Sequence, residues 1–346
     1  MIVQSAYVSS PSMSKLRDLL ISRVKPVAFA SMPYDVFPAY VDTVIVITER
    51  LEEGKSLRDL PSAPVILTVF PPRFKIRSVD DFSIFAKSAD AVKWLREGHN
   101  EFLVTLSDIE HTIIDKLQKT SAKFRDLADI QRGVTPFHTS PEPPDISLRK
   151  AFRGIVRRYK LVMAESAFIR FDESLAEYKP SRYFIGPRIL LRELISRQFQ
   201  LQAVYVDEDF VTNKSMQSLL LRDPSYNVLY LLGLLNSRLL SWYFLAVHSV
   251  GRRDDFPKIV LRQTRNLPLR TIDFSNTTDR SHHNRIVKLV EQILSLHKQL
   301  ADAKVPDDKT RIQRQIDATD KQIDHLVYAL YGLTEEEIKI VECSKS

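Results

Sequence analysis

A long apolar stretch with a polar interruption, residues 231–269, constrains this chain more than any other feature. Its first part is rich in leucine, but polar and charged side chains at Asn236–Ser241 divide it before it reaches the length of a membrane span. A basic turn at 251–253 follows, and apolar residues then alternate over Phe256–Leu261. This pattern predicts a buried helix, a basic turn and a strand.

The composition is that of a folded globular protein. The 346 residues are 44% hydrophobic and 27% charged, which suits two or three domains. No apolar run is long enough to cross a bilayer, and the N-terminus lacks the regions of a signal peptide. The single cysteine, Cys343, excludes a thiolate-rich zinc site, and His282-His283 occupy a predicted polar loop. We therefore expect a cytoplasmic protein with no metal site and no membrane partner.

The basic excess of the chain is confined to its middle part. Lys plus Arg against Asp plus Glu count 15 against 15 in residues 1–120, 24 against 15 in 121–270, and 11 against 13 in 271–346. The net charge of +7 therefore has one local origin, and such a surface favours a polyanion as partner. A basic surface that only aids solubility is the alternative that the charge count leaves open.

Three short groups of residues in the same stretch carry a family resemblance. They are LNSRLL at 235–240, FPKI at 256–259 and NLPL at 266–269. Together they resemble the closing part of the target recognition domain of bacterial restriction–modification proteins, particularly the TaqI-like C-terminal specificity domain of N6-adenine DNA methyltransferases. The resemblance implies an α+β fold with a partial methyltransferase α/β edge, a mixed β target recognition domain and a C-terminal antiparallel helical hairpin.

The resemblance divides the chain into four segments. They are a remnant of the methyltransferase catalytic domain at 1–60, a connector at 61–120, a DNA target recognition domain at 121–275 and a helical hairpin scaffold at 276–346. Within the first, a leucine-rich helix at 12–22 precedes a β-branched strand at 41–48. Within the last, Pro306 separates two amphipathic helices.

Two further motifs resemble conserved strands of target recognition domains in this family. DIQRGVT at 129–135 resembles their opening strand and turn, in which Arg132 and Thr135 would face DNA beside Gly133. YFIGPRILLR at 183–192 resembles a second strand, on which Arg188 and Arg192 would lie opposite the apolar side chains.

A cationic segment at 149–160 lies between those motifs. On a helix, Arg149, Arg153 and Arg157 would form one stripe, and such repelling charges favour contact with an anion. A solvated basic face is the competing interpretation. The other candidates for DNA contact are cationic or polar residues of this segment and of predicted turns: Arg158, Asn213, Lys214, Arg252, Arg253 and Lys258.

Motifs for catalysis and for a methyl donor are missing from this sequence. Its eight glycines are never closer than 18 positions, as at Gly233 and Gly251, whereas a cofactor-cradling loop needs clustered glycines. Pro71-Pro72-Arg73 lacks the flanking residues of the family's Asn-Pro-Pro-Tyr motif. We expect no catalytic or cofactor-binding residue here, and S-adenosylmethionine to be bound in another part of the intact enzyme.

The resemblance therefore implies a sequence-specific DNA recognition module of an adenine-N6 methyltransferase. It would bind double-stranded DNA and position an adenine for a catalytic half that is missing from this chain, with a separate methyltransferase part or a restriction subunit as partner. The chain would be inactive alone. A half-length type I specificity subunit, acting as a non-enzymatic adaptor, fits one recognition domain plus a helical hairpin as well.

Overall fold

The computed structural model describes residues 1–10, 13–33, 36, 43–71, 74–95, 102, 104, 106–141, 148–248 and 257–343. The chain packs as two compact units. Unit 1 comprises Met1–Ile114 and Leu245–Asp255, and unit 2 comprises Asp115–Phe244 and Phe256–Ser346. Both contain helices and sheets, so the predicted α+β class is confirmed.

Unit 1 contains a five-stranded sheet in the order β1-β3-β2-β4-β5. The strands are β1 (Ile2–Gln4), β2 (Val24–Ser31), β3 (Thr43–Arg50), β4 (Pro64–Val69) and β5 (Ala86–Asp90). Only β2 and β4 pair in parallel, and the other pairs are antiparallel. The sheet continues across residue 60, so strands of the predicted connector pair with strands of the predicted methyltransferase remnant.

Three short helices of unit 1 accompany this sheet: α1 (Ala6–Ser9), α2 (Ser14–Ile21) and α3 (Asp80–Ile84). The predicted leucine-rich helix and β-branched strand correspond to α2 and β3. Val44 and Val46 of β3 point into the core with Phe29 and Trp94, as expected for alternate residues of a strand. The Trp94 ring lies 5.5 Å from that of Phe29 in an edge-to-face arrangement.

Unit 2 is built on a four-stranded antiparallel sheet in the order β11-β10-β12-β7. A two-stranded hairpin, β8 with β9, and a short pair, β6 with β13, complete its strands. Their bounds are β6 Ser121–Lys123, β7 Ala128–Arg132, β8 Leu148–Arg157, β9 Lys160–Arg170, β10 Arg188–Arg192, β11 Ala203–Val206, β12 Met216–Leu221 and β13 Pro268–Arg270. The hairpin packs on the sheet because Phe152 and Val156 share a buried cluster with Leu190 and Val204.

The predicted helix at 149–160 is wrong, because this segment forms β8 and the turn into β9. A spacing of four residues places side chains on one face of a strand as well as of a helix, so the arginines alone could not decide between them. Gly154 favours the strand, since a Cβ there would lie 2.1 Å from the Val162 carbonyl oxygen of β9. That close approach leaves no room for a side chain.

The apolar stretch that begins at 231 forms two helices instead of one. α6 (Val228–Asn236) and α7 (Arg238–Val247) meet at Ser237 with a bend of 59°. Among the described residues, no single helix is long and apolar enough to cross a membrane, although these two would be if they were joined. Asn236 bonds both backbone groups of Ala203, at 2.9 Å each, so its amide is satisfied in the core.

The strand predicted over 256–261 is also wrong. Lys258 makes only an isolated bridge with Leu194, and a short helix, α8 (Leu261–Arg265), follows it. Ile259 is buried, but its backbone N–H bonds the Glu193 carbonyl outside any extended ladder. The basic turn at 251–253 lies outside the described residues.

The C-terminal helices match the predicted antiparallel hairpin. They are α9 (Thr277–Asp302) and α10 (Pro306–Leu330), followed by α11 (Glu335–Cys343), while two helices, α4 (Asp108–Lys119) and α5 (Phe124–Leu127), come earlier in the chain. Pro306 occupies the first turn of α10, where its missing N–H costs nothing. The paired histidines are not in a polar loop: they lie within α9, where His283 is buried against Tyr230 at 4.9 Å between ring centroids.

One carboxylate in this hairpin should make stability depend on pH. Asp324 of α10 is buried, and burial raises its pKa to about 7, despite the nearby guanidinium groups of Arg158 and Arg238. Because the folded pKa exceeds the unfolded one, the folded state binds more protons, and stability falls as pH rises from about 4 to about 7.

We predict that Asp324→Asn makes stability depend less on pH. Between about pH 4 and about pH 7 the free energy of unfolding should fall by an amount on the order of a few kcal/mol less than in the wild type. The amide keeps an acceptor for the Arg238 N–H, which lies 2.8 Å from Oδ1. Urea unfolding between pH 4.5 and pH 8 measures the effect, and Asp317→Asn on the exposed side of α10 is the control. A profile that Asp324→Asn shares with the wild type would contradict the prediction.

Candidate nucleic-acid interface

Three arginines form a row along β8, which we call the β8 row: Arg149, Arg153 and Arg157. All three are exposed, and their spacing of four residues places them on one face of the strand, about 13 Å apart at about 3.3 Å per residue. Arg153 donates to the Thr139 hydroxyl at 3.2 Å. Within the described residues no carboxylate forms an ion pair with any member of the row, so its charge is available to a ligand.

Arg192 extends this charge onto the sheet. It ends β10, which packs against β8, and its side chain is half-buried. Burial lowers the pKa of Arg192, and the positive charge of Arg157 lowers it further. Two guanidinium groups that repel each other favour an anion, because a phosphate would relieve both the repulsion and the loss of solvation.

A second cationic group surrounds a buried carboxylate, and we call it the Glu193 cluster: Arg132, Glu193, Asn213, Lys214 and Lys258. Arg132 Nε lies 2.8 Å from Glu193 Oε1, and Arg132 Nη2 donates to Oε2 at 3.3 Å. Arg132 Nε also donates to the Lys214 carbonyl at 3.2 Å. Burial raises the pKa of Glu193, and Arg132 and Lys258 partly offset this effect.

Close backbone packing brings the members of this cluster together. Gly133 follows Arg132, and a Cβ on it would lie 2.2 Å from the carbonyl oxygens of Thr212 and Asn213. The glycine is therefore needed for close approach of the two backbones. Asn213 Oδ1 accepts from the Ser215 N–H at 2.9 Å, and the Asn213 side chain is half-buried. Lys214 and Lys258 are exposed.

Thr135 does not fit its predicted role as a phosphate donor. Its hydroxyl oxygen is buried and has no hydrogen-bond partner among the described residues. A phosphate outside the protein could not reach this oxygen without a local rearrangement.

Arg188 is removed from the predicted DNA-facing set. It is 0% exposed, and its guanidinium donates to the carbonyls of Gly186 at 2.7 Å, Glu208 at 2.8 Å and Phe210 at 3.3 Å. The group also lies over the Phe210 ring, and burial lowers the pKa of Arg188 to about 10. The prediction failed because β10 is buried on both faces. Alternate side chains of this strand therefore do not divide into an exposed face and a buried face.

Arg158 is likewise occupied by the protein itself. It donates through two nitrogens to Asp320 of α10, at 2.7 Å and 2.6 Å. Both side chains are mostly buried, so this pair joins the turn after β8 to the helical hairpin. Arg252 and Arg253, also predicted to bind DNA, lie outside the described residues.

Sequence reasoning missed Glu193 and an apolar pair on the hairpin. Glu193 directly follows the apolar strand of β10, and an acidic residue continuing such a strand is the signal that could have identified it. Ile155 and Val162 face each other across β8 and β9, and both are partly exposed between the arginines. Among the described residues no group of metal-ligating side chains occurs.

Comparisons with known proteins cover the region that holds these residues. Residues 149–269 match the family described as the TaqI-like C-terminal specificity domain. The matched part of the chain contains the β8 row, Arg192 and most of the Glu193 cluster, and it is similar to that specificity domain. The predicted resemblance is confirmed for this region.

A relative and several solved structures extend the comparison to the rest of the chain. The type II restriction enzyme and methyltransferase RM.MjaORFECS2P of Methanocaldococcus jannaschii is 25% identical over 340 residues, which are 95% of this chain and 27% of that protein. The type IIL restriction-modification enzyme MmeI, solved in complex with DNA, matches 99% of this chain and 48% of its own, with a TM-score of 0.58 and 12% identity. The HsdS subunit from Thermoanaerobacter tengcongensis matches 65% of this chain with a TM-score of only 0.31.

The chain therefore spans about a quarter of that curated relative and about half of MmeI. The likeness to MmeI shows a shared fold.

The contrast between a buried and an exposed arginine yields a prediction. Arg188→Ala should destabilise the protein by about 3 kcal/mol or more, because three carbonyls lose their donor and a cavity opens. Arg149→Ala, on the exposed β8 row, should stay within about 0.5 kcal/mol of the wild type. Urea unfolding followed by circular dichroism measures both. Equal effects of the two variants would contradict the buried role of Arg188.

Proposed function

We propose that this chain is the DNA recognition part of a restriction–modification or phage-defence protein that methylates adenine at N6. Unit 2 would bind duplex DNA along the β8 row and the Glu193 cluster and would help to position the target adenine. The observation that carries the proposal is the β8 row, three exposed arginines without carboxylate partners inside the region that matches a specificity domain.

The arrangement of the cationic and polar residues in two groups supports DNA as the ligand. A row of separated arginines suits phosphates, which lie at regular intervals along a strand and fix the register of a protein on the duplex. Arg132, Asn213, Lys214 and Lys258 form the second group, and they include side chains able to bond base edges in the major groove. Phosphate contacts and base contacts would thus come from two defined groups of residues.

The chemistry would reside in polypeptide outside this chain. The sequence has no glycine-rich loop and no Asn-Pro-Pro-Tyr motif. In the intact enzyme a methyltransferase part would bind S-adenosylmethionine, and this chain would pair with that part or with a restriction subunit. The name of the curated relative, a restriction enzyme and methyltransferase, supports such an arrangement.

A second candidate is a half-length type I specificity subunit that acts as a non-enzymatic adaptor. The long hairpin of α9 and α10 favours it, because two extended helices provide a surface on which a separate modification subunit could dock. The five-stranded sheet of unit 1 favours the first proposal, since an adaptor has no evident use for it. Co-elution with a type I modification subunit in size-exclusion chromatography would decide for the adaptor.

The β8 row should dominate the electrostatic part of DNA binding. Replacing Arg149, Arg153 and Arg157 together by alanine should lower affinity for duplex DNA and reduce the slope of log K against log salt by about 0.9 for each lost phosphate contact. Fluorescence anisotropy with a labelled duplex over a range of NaCl concentrations measures both quantities.

The control variant removes the same charge from the helical hairpin. Lys298, Lys309 and Arg314 are exposed on α9 and α10, and their triple replacement by alanine should leave the salt slope nearly unchanged. Equal slopes for the two triple variants would mean that DNA binding depends only on net charge. This result would contradict the proposed interface.

The isolated chain should bind duplex DNA without methylating it. Transfer of label from tritiated S-adenosylmethionine to a mixture of random duplexes should stay at background, because the chain lacks the motifs of the catalytic part. A methyltransferase of known activity serves as the positive control. Methylation by this polypeptide alone would overturn the assignment of chemistry to another part.

A further inference from the structure

Glu193 is an unexpected residue for a surface that binds a polyanion. It is 5% exposed, and burying a carboxylate is unfavourable unless it is paired. A negative charge next to a phosphate-binding surface also lowers affinity for DNA of any sequence. Non-specific affinity therefore does not account for its presence.

The contacts of Glu193 fix the orientation of one arginine. Arg132 Nε lies between Glu193 Oε1 at 2.8 Å and the Lys214 carbonyl at 3.2 Å, and Nη2 reaches Oε2 at 3.3 Å. These contacts all lie on the Nε–Nη2 edge of the planar guanidinium, and they restrict its rotation. No described residue accepts a hydrogen bond from Arg132 Nη1, and the side chain is 36% exposed.

The backbone of Glu193 is equally constrained. Its N–H donates to the Ser215 carbonyl at 2.8 Å, and its carbonyl accepts from the Ile259 N–H at 2.8 Å. Gln217, which lies opposite Arg132 across β7 and β12, donates to the Ile259 carbonyl at 2.9 Å. The backbone of Glu193 is thus bonded to two neighbouring segments, which limits the positions from which its carboxylate can hold Arg132.

We infer that Glu193 is a positioning residue that presents the free edge of Arg132 to a base pair in the major groove, and that this pair determines part of the recognised sequence. The inference rests on the proposed DNA recognition. A guanine is the expected base, since its O6 and N7 match two parallel N–H donors of arginine. Pre-orientation lowers the side-chain entropy lost on binding the correct base.

This arrangement lowers affinity for DNA of any sequence and increases discrimination between base pairs. Without the carboxylate, Arg132 would be a mobile cation able to follow any phosphate. With it, the guanidinium presents one fixed edge, so a wrong base leaves polar groups unpaired. Glu193→Gln should therefore have opposite effects on the two kinds of binding.

The test uses the full chain, a duplex library with a randomised centre and a duplex of fixed unrelated sequence. After selection with the wild type, the preferred duplex is compared with versions altered at each position. We expect Glu193→Gln to bind the unrelated duplex at least as tightly as the wild type does, and to lose about tenfold discrimination at one base pair. Arg132→Lys, which keeps the charge but not the fork, should lose discrimination at the same base pair.

Glu208→Gln is the matched control. Glu208 is an exposed carboxylate of unit 2, paired with Lys150 at 3.1 Å, so its removal changes the net charge equally. It should raise affinity for all duplexes without changing the preferred sequence. Thermal unfolding of each variant confirms that it folds, and Arg132→Lys decides the outcome if Glu193→Gln does not.

The outcomes separate this inference from the proposed function. If the wild type binds no duplex, both fall. If it selects a sequence that Glu193→Gln and Arg132→Lys both select unchanged, DNA recognition stands and the positioning role is overturned. A loss of discrimination at one shared base pair, with general affinity retained, supports the positioning role.

Discussion

The ion pair between Arg158 and Asp320 fixes the turn of the β8–β9 hairpin, whose strands also pack on the sheet through buried apolar side chains. Arg158 stands where β8 turns into β9, and the next residue, Tyr159, has a positive φ of 57° and donates its N–H to Ala203 of β11. The turn is therefore fixed on one side to the sheet and on the other to α10. A buried ion pair adds little net stability, but loss of either partner leaves an unpaired charge, so the geometry is enforced.

The arginines of unit 2 separate into those used by the fold and those left for a ligand. Arg188 donates to one carbonyl before β10 and to two carbonyls after β11, and Arg158 holds the turn of the hairpin to α10. Arg149 and Arg157 have no carboxylate partner among the described residues. The basic excess of residues 121–270 therefore overstates the surface charge available to DNA, and the position of each cation matters more than the sum.

Secondary structure could be predicted where the residue pattern is compatible with only one type of element. The α9–α10 hairpin was predictable because a long apolar stripe at helical spacing and Pro306 at the start of α10 agree. The β8 segment was not, because Arg149, Arg153 and Arg157 share a face in either a helix or a strand. Arg188 was assigned to the surface because alternation was assumed to separate core from solvent, whereas β10 is covered on both faces. Glu193 is visible in the sequence only as an acidic residue that continues the apolar strand β10, and its contact with Arg132 depends on the fold.

The change from helix to strand alters the energetics of the basic segment. On a helix, arginines four residues apart lie about 6 Å from one another, and their repulsion would destabilise the free protein. On β8 they lie about 13 Å apart, which exceeds the screening length of about 10 Å at 0.1 M salt. The row therefore costs the free protein little and needs no anion in order to fold.

The arginines of the row remain separate, so three phosphates could each contact one arginine over a span of about 26 Å. Across the strands the charges do interact, because the positive charge of Arg157 adds to burial in lowering the pKa of Arg192 on β10. A ligand anion that contacts both β8 and β10 would relieve this repulsion.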